Sequence, residues 1–213
     1  MTKIKSLFIS LLLTLGVSTA IAGSHGSTLD LVKERGKLMC GSNTGLAGFG
    51  APNDAGVWEG IDVDVCRAVA AAVLGDASKV EYVPLTSKVR FTVLQSGEVD
   101  MLSRNTTWTL SRDVDLGLEF VGVNYYDGQG FMVSKDLGVS SASELDGASV
   151  CIQVGTTTEM NLADFFKANG MSYESVPVET NSEADAAYLA GRCDIYTTDC
   201  LLYTSPSPRD PNR

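Results

Sequence analysis

The side chains that could carry chemistry are few. One histidine, His25, stands among 213 residues, which all but excludes a Ser-His-Asp triad, a Cys-His pair or a multi-histidine metal site. Cysteines occur at 40, 66, 151, 193 and 200. They show no C-x-x-C spacing, so no zinc or other metal site is expected. The glycine-rich run Gly45-Leu46-Ala47-Gly48-Phe49-Gly50 follows neither G-x-G-x-x-G nor the P-loop pattern and reads as a loop. Asp62 and Asp64 open an apolar-periodic segment. First-turn acids favoured by the helix dipole are preferred there over metal ligands. Arg112 lies beside Asp113 and Asp115, and Thr156-Thr157-Thr158 precede a helical run. Taken alone, these read as a surface ion pair and as helix caps. Asn105-Thr106-Thr107 fits the N-glycosylation pattern, but nothing else points to a eukaryotic secretory route.

Composition narrows the class. Acidic residues number 26 and basic ones 16, a formal charge of −10, which argues against nucleic acid as a partner. The 44% hydrophobic content suits a globular chain with a core, and the length allows one or two domains. The start carries Lys3 and Lys5, an apolar run from Leu7 to Val17 and the small-residue sequence Ala20-Ile21-Ala22. Residues 1–22 are therefore expected to be a secretory signal peptide, with no lipid-anchoring cysteine at the cut.

The far end, residues 200–213, reads CLLYTSPSPRDPNR. It has three prolines and no apolar periodicity, and it resembles the translation of a transposase-type sequencing adapter. The tail is expected to be non-native and to lie outside the fold. An exported protein meets an oxidising compartment. With Cys200 set aside, the expected pairs are Cys40 with Cys66 and Cys151 with Cys193, each inside one half of the chain. Buried free thiols are the alternative.

The elements that must position these residues alternate. Residues 37–42 and 80–84 read as strands, with a helix from Glu59 to Leu74 carrying Ile61, Val65, Val69 and Val73 on one face. A helix over 88–95 and a strand over 100–102 follow. The second half repeats the order. Ser141 to Glu144 reads as a capping box. A strand over 148–153, a helix to Ala168, a strand over 173–178, a helix over 182–190 and a strand over 194–197 follow. Gly97-Glu98-Val99-Asp100 and Gly191-Arg192-Cys193-Asp194 occupy matching places between helix and strand. The pattern predicts two parallel α/β units.

Several of these stretches, in order, carry a resemblance. They are Glu59-Gly60-Ile61-Asp62-Val63-Asp64-Val65, Leu94 with Gly97-Glu98-Val99-Asp100, Thr107-Trp108-Thr109-Leu110-Ser111-Arg112, and Gln153-Val154-Gly155-Thr156-Thr157. Over about residues 28–199 the chain resembles the family 3 solute-binding proteins of polar amino-acid ABC transporters. The stretch SRNTTWTLSRD, residues 103–113, is most similar to the general L-amino-acid-binding branch. The resemblance implies the two-lobed type II periplasmic-binding-protein fold with an incomplete second lobe. The first lobe would span 23–123, a hinge region 124–135 and the second lobe 136–199.

The resemblance also implies a site. Arg112 would clamp an amino-acid carboxylate, met from the other lobe by the N–H groups of Thr156 and Thr157. Asn105 and Thr107 would offer oxygens to the ammonium, and Asp199 its charge. Asn43 is a further candidate for the first-lobe wall. Trp108 is expected in the core. The implied function is capture of L-amino acids in a Gram-negative periplasm by a monomer that hands them to a membrane ABC permease. No cofactor and no catalysis are expected. A periplasmic dehydratase of cyclohexadienyl acids or a receptor sensing domain are the alternatives.

Overall fold

The computed structural model describes residues 26–204. The expected signal peptide, His25 and the tail from residue 205 lie outside the described residues. The chain folds as two α/β lobes, each built on its own sheet.

The first lobe opens with α1 (Thr28–Arg35), where Ser27 and Asp30 form a capping box and Gly36 closes the helix in the left-handed region. Next come β1 (Leu38–Ser42), a small antiparallel pair β2 (Ala51–Pro52) and β3 (Trp58–Glu59), and α2 (Ile61–Leu74). Then follow β4 (Val80–Pro84), α3 (Arg90–Gln95) and β5 (Met101–Leu102). The parallel sheet has the order β4-β1-β5. Gly60 starts α2 for a steric reason. Its φ is +119°, and a Cβ there would lie 2.3 Å from the Phe49 carbonyl oxygen. Val32, Leu38, Cys40, Cys66 and Ala70 form the core between β1, α1 and α2.

A long stretch with only the short helix α4 (Leu110–Val114) leads to β6 (Gln129–Val133). The second lobe then runs β7 (Ser149–Gln153), α5 (Thr157–Ala168), β8 (Glu174–Val178), α6 (Asn181–Leu189), β9 (Ile195–Asp199) and α7 (Cys200–Thr204). The sheet order is β6-β9-β7-β8, with β6 antiparallel and the rest parallel. Helices cover both faces. Val150, Ile152, Leu162, Phe166 and Ile195 pack on one side, and Cys151, Ala184, Ala187, Cys193 and Tyr196 on the other. Expected and observed elements differ by one or two residues at most ends.

The internal repeat has a structural meaning. Asp100 accepts from the Met39 N–H at 2.7 Å while its own N–H donates to the Met39 carbonyl. Asp194 does the same with Ser149, at 2.9 Å through its carboxylate and again through the backbone. In each lobe a left-handed glycine, Gly97 after α3 or Gly191 after α6, ends the second helix of the β-α-β-α-β unit. The aspartate three residues on then ties the third strand to the first.

Three sequence expectations change. Ser141 to Glu144 is a 3₁₀ turn over Ala142–Glu144. Glu144 reaches back to the Ser140 N–H rather than that of Ser141, so no reciprocal capping box forms. Residues 129–133, expected in the hinge region, pair along five residues with β9 and so belong to the second sheet. Residues 200–204, expected outside the fold, form α7. Leu201 is buried, and the Tyr203 hydroxyl donates to the Gly130 carbonyl at 2.6 Å and accepts from the Thr198 N–H. Their apolar Leu-Leu-Tyr run suffices for one turn against β6 and β9.

Both expected disulfides form, Cys40–Cys66 and Cys151–Cys193, closing sequence separations of 26 and 42. By loop-closure entropy these are worth about 3.5 and about 4 kcal/mol. Urea unfolding of the protein with each pair replaced by alanine is expected to show losses of that size. A loss below about 1 kcal/mol for either pair would remove its structural role.

Candidate functional site

The two lobes meet along a narrow, partly open cleft. From the first lobe, Ser87, Arg90, Asn105 and Thr107 line it. From the second come Gln153, the three threonines 156–158, Thr198 and Asp199, with Leu202 at the edge. Five residues expected from the sequence, Asn105, Thr107, Thr156, Thr157 and Asp199, thus face one space although 94 positions separate the first from the last.

Arg112 and Asn43 stand one layer behind. Arg112 is 4% exposed. Its Nη1 donates to the Thr107 carbonyl at 2.7 Å, and its guanidinium lies 5.1 Å from the centre of the Phe91 ring. Asn43 donates to Asn105 Oδ1 at 2.7 Å and accepts from the Gly45 N–H, so it orients Asn105 rather than lining the cleft. Trp108, expected in the core, lies at the surface instead. It is 48% exposed, stacked on Phe120 and donating to Asp113 Oδ2.

The second-lobe wall is a helix N-terminus. Thr156 caps α5, accepting from the Glu159 N–H at 3.1 Å and donating to the Gln153 carbonyl at 2.7 Å. Glu159 in turn accepts from the Gly155 N–H. The remaining first-turn N–H groups and the helix dipole favour an anion in the cleft. Thr157 Oγ1 reaches across to Thr107 Oγ1 at 3.1 Å. The backbones themselves come close. Gly155 has φ +73°, and a Cβ there would sit 3.0 Å from Lys88 Cα.

Electrostatics mark this place above all others. Two further arginines, not singled out by their sequence context, are buried here. Arg90 (2% exposed) donates to Ser87 Oγ at 3.4 Å and, across the lobes, to the Gly155 carbonyl at 3.2 Å. Arg104 (6% exposed) donates to Asn105 Oδ1 at 3.1 Å and to Ser87 Oγ at 3.4 Å. Among the described residues no carboxylate oxygen lies within 4.0 Å of any of these three guanidiniums. Burial, then the charges of Arg104 and Arg112, push the Arg90 pKa down, with Asp199 opposing. Arg112 is lowered by burial and supported by Asp199. Asp199 is itself raised by burial and by Asp127, with Arg112 and Arg90 pulling it back. Among the described residues no cluster of three or more His, Cys, Asp or Glu side chains could hold a metal.

The family model of bacterial extracellular solute-binding proteins, family 3, matches residues 38–183. The chain belongs to this family. The glutamate/glutamine/aspartate/asparagine-binding protein BztA of Rhodobacter capsulatus is 60% identical over 93% of this chain and 59% of its own length. The general L-amino acid-binding periplasmic protein AapJ of Rhizobium johnstonii is 59% identical over 88% of this chain and 54% of its own. Among solved structures, an ABC transporter periplasmic binding protein from Brucella ovis with glutathione bound superposes with a TM-score of 0.76 at 61% identity. It covers 82% of this chain and 55% of that one. The chain therefore spans somewhat more than half the length of these family 3 relatives, whose names are those of binding proteins rather than enzymes.

One buried acid of this family 3 chain has a pH consequence. Asp62, in the first turn of α2 as expected, is also 1% exposed and accepts from Asn124 Nδ2 at 2.7 Å. Burial pushes its pKa up from 3.8 to about 6, against the Asn124 bond and the Arg104 charge. Between those values the folded state keeps a proton that the unfolded state has released. Stability therefore falls as pH rises through that window, by up to about 3 kcal/mol. Asp62→Asn is expected to flatten this segment of a urea-midpoint profile taken from about pH 4 to about pH 7. An unchanged slope in the variant would refute the assignment.

Proposed function

We propose that this chain forms the ligand-gripping part of a periplasmic receptor that captures L-amino acids between its lobes and delivers them to an ABC permease. The reading rests on one observation. Groups suited to an α-amino acid converge on a single cleft from both lobes, against a helix N-terminus and a buried arginine. The names of the Rhodobacter and Rhizobium relatives support the same ligand class.

The roles follow from the chemistry of an amino acid. Arg112, reaching from the layer behind Thr107, takes the carboxylate with the first-turn N–H groups at Thr156 and Thr157, since a guanidinium and oriented amides bind such an acceptor best. Asp199 takes the ammonium, helped by oxygens of Asn105 and Thr107. Asn43 holds Asn105 in place. A ligand bound by both lobes favours the closed arrangement by the difference in its affinity for the two states. The lobes divide near the sequence-read boundaries, 23–123 and 136–199, and the 124–135 segment between them carries β6, which pairs with the second sheet. The receptor acts as a monomer in the periplasm, after removal of residues 1–22, and performs no catalysis.

Titration calorimetry of the protein expressed from its complete reading frame tests this against the twenty amino acids. Heat of binding with one or more is expected. No heat from folded, ligand-free protein would end the proposal. Arg112→Ala is expected to weaken binding of any accepted amino acid by more than about 2 kcal/mol, the worth of its charged hydrogen bonds. Retained affinity would remove Arg112 from the carboxylate site.

A further inference from the structure

Three buried guanidiniums favour an anion in this cleft, whereas on the reading above one carboxylate, Asp199, answers for the ligand's ammonium. No cation of the chain lies within 4.0 Å of Asp199 among the described residues. The backbone turn from β9 into α7 therefore sets where its charge sits. That turn hangs on the residues that lead into β6. Asp199 stands opposite Gln129 in the antiparallel register. The Cys200 N–H donates to the Gly128 carbonyl at 2.7 Å. The Leu201 N–H donates to Asp127 Oδ2 at 2.9 Å, and the other oxygen of Asp127, Oδ1, accepts from the Gly128 N–H at 2.8 Å. Gln129 fixes the same strand end to the second lobe, donating to the Thr158 carbonyl and to Thr197 Oγ1, both at 3.0 Å.

We propose that Asp127 is a positioning residue for Asp199: it pins the turn that carries the Asp199 carboxylate and sets a second negative charge behind it, which strengthens the cleft's hold on a ligand ammonium. The inference rests on the amino-acid-receptor reading and adds to it a residue outside the cleft lining. Two observations carry it. Both oxygens of Asp127 are taken by backbone N–H groups, one on its own strand and one on the turn beyond Asp199. A neutral side chain of the same size has only one such acceptor to offer. The Asp127 carboxylate also has no cation within 4.0 Å among the described residues, so its field is not cancelled on the spot. The charges that act on Asp199 are then opposed. Arg90 from α3 and Arg112 from α4 favour its ionised form, and Asp127 disfavours it. The Tyr196 and Tyr203 hydroxyls lie in the same field. Burial first, and then Asp127, raise the Asp199 pKa above the ordinary carboxylate value. A like charge behind an acid makes it harder to ionise, but adds attraction for a cation once it has ionised.

Asp127→Asn removes the charge and keeps the size. Calorimetry at pH 7 on protein from the complete reading frame is expected to show any accepted amino acid bound about threefold to thirtyfold more weakly by the variant. Carbon-13 NMR of the Asp199 side-chain carboxyl, followed against pH in ligand-free protein, is expected to show its midpoint lower in the variant by about half a pH unit or more, because the like charge that opposed its ionisation is gone. A merely structural strut would weaken binding and leave that midpoint in place, a result that would overturn the proposal. If Asp127→Asn does not fold, Asp127→Ser, whose hydroxyl can still accept from one amide, carries the same two measurements. Equal affinities in variant and unmodified protein defeat this inference alone. No binding of any amino acid by the unmodified protein defeats the receptor reading, and the ammonium role of Asp127 with it.

Discussion

Three guanidinium groups buried at the junction of two lobes set the terms for the rest of this structure. Arg90, Arg104 and Arg112 repel one another, and burial removes the water that would screen them. The fold keeps them there with neutral devices. The Phe91 ring lies against two of them, Ser87 and Asn105 accept from them, and carbonyls of Thr107 and Gly155 take single N–H groups. The two nearby acids are themselves buried and raised in pKa. Arginine tolerates such a place better than lysine, because its delocalised charge is weakly hydrated and stays protonated. The result is a site whose electrostatics are incomplete until an anion arrives.

Such a cluster can persist only on a rigid frame. Each lobe supplies one through the same device, an aspartate that locks the third strand onto the first after a left-handed glycine. Each lobe is also stapled by a disulfide, though not at equivalent places. Cys40 is tied to α2, whereas Cys151 is tied to the turn before β9. The pairs stiffen the elements directly under the cleft walls. They leave the junction itself to be held by a few polar contacts, Thr107 with Thr157 and Arg90 with Gly155. Stability is thus concentrated within lobes and is low between them, the distribution that a closing clamp requires.

Much of this was legible in the residues. Alternating apolar runs, glycine stops and the two G-x-x-D units place the β-α-β-α-β unit of each lobe, but not α1, the β2–β3 pair, α4, β6 or α7. The even cysteine count within 40–193 pairs correctly. Thr156 reads as the N-cap that it is. What escaped had physical causes. Arg90 sits among Val89, Phe91, Val93 and Leu94, where a lone cation reads as the solvated edge of a short helix. In the folded chain Ser87, Phe91 and, from the other lobe, Gly155 lie against it. Arg104 likewise bonds Ser87, far away in sequence. Trp108 looks like core because tryptophan usually is, yet it lies on a surface with Phe120 as its only aromatic neighbour within stacking distance among the described residues. The first turn of the excluded tail packs because its leucines and tyrosine meet β6 and β9, which no local pattern announces.

The geometry also bears on what drives closure. Among the described residues, the polar contacts across the junction are one hydroxyl pair, one arginine–carbonyl bond and the exposed pair Lys88–Glu179. An exposed pair of that kind contributes little, and a net neutral hydrogen bond is worth about 1 kcal/mol. These cannot outweigh mutual repulsion among buried cations and the ordering of two lobes. On the receptor reading, closure must therefore draw on the ligand, whose anionic group is the only component that bonds α5 on one side and the arginines on the other.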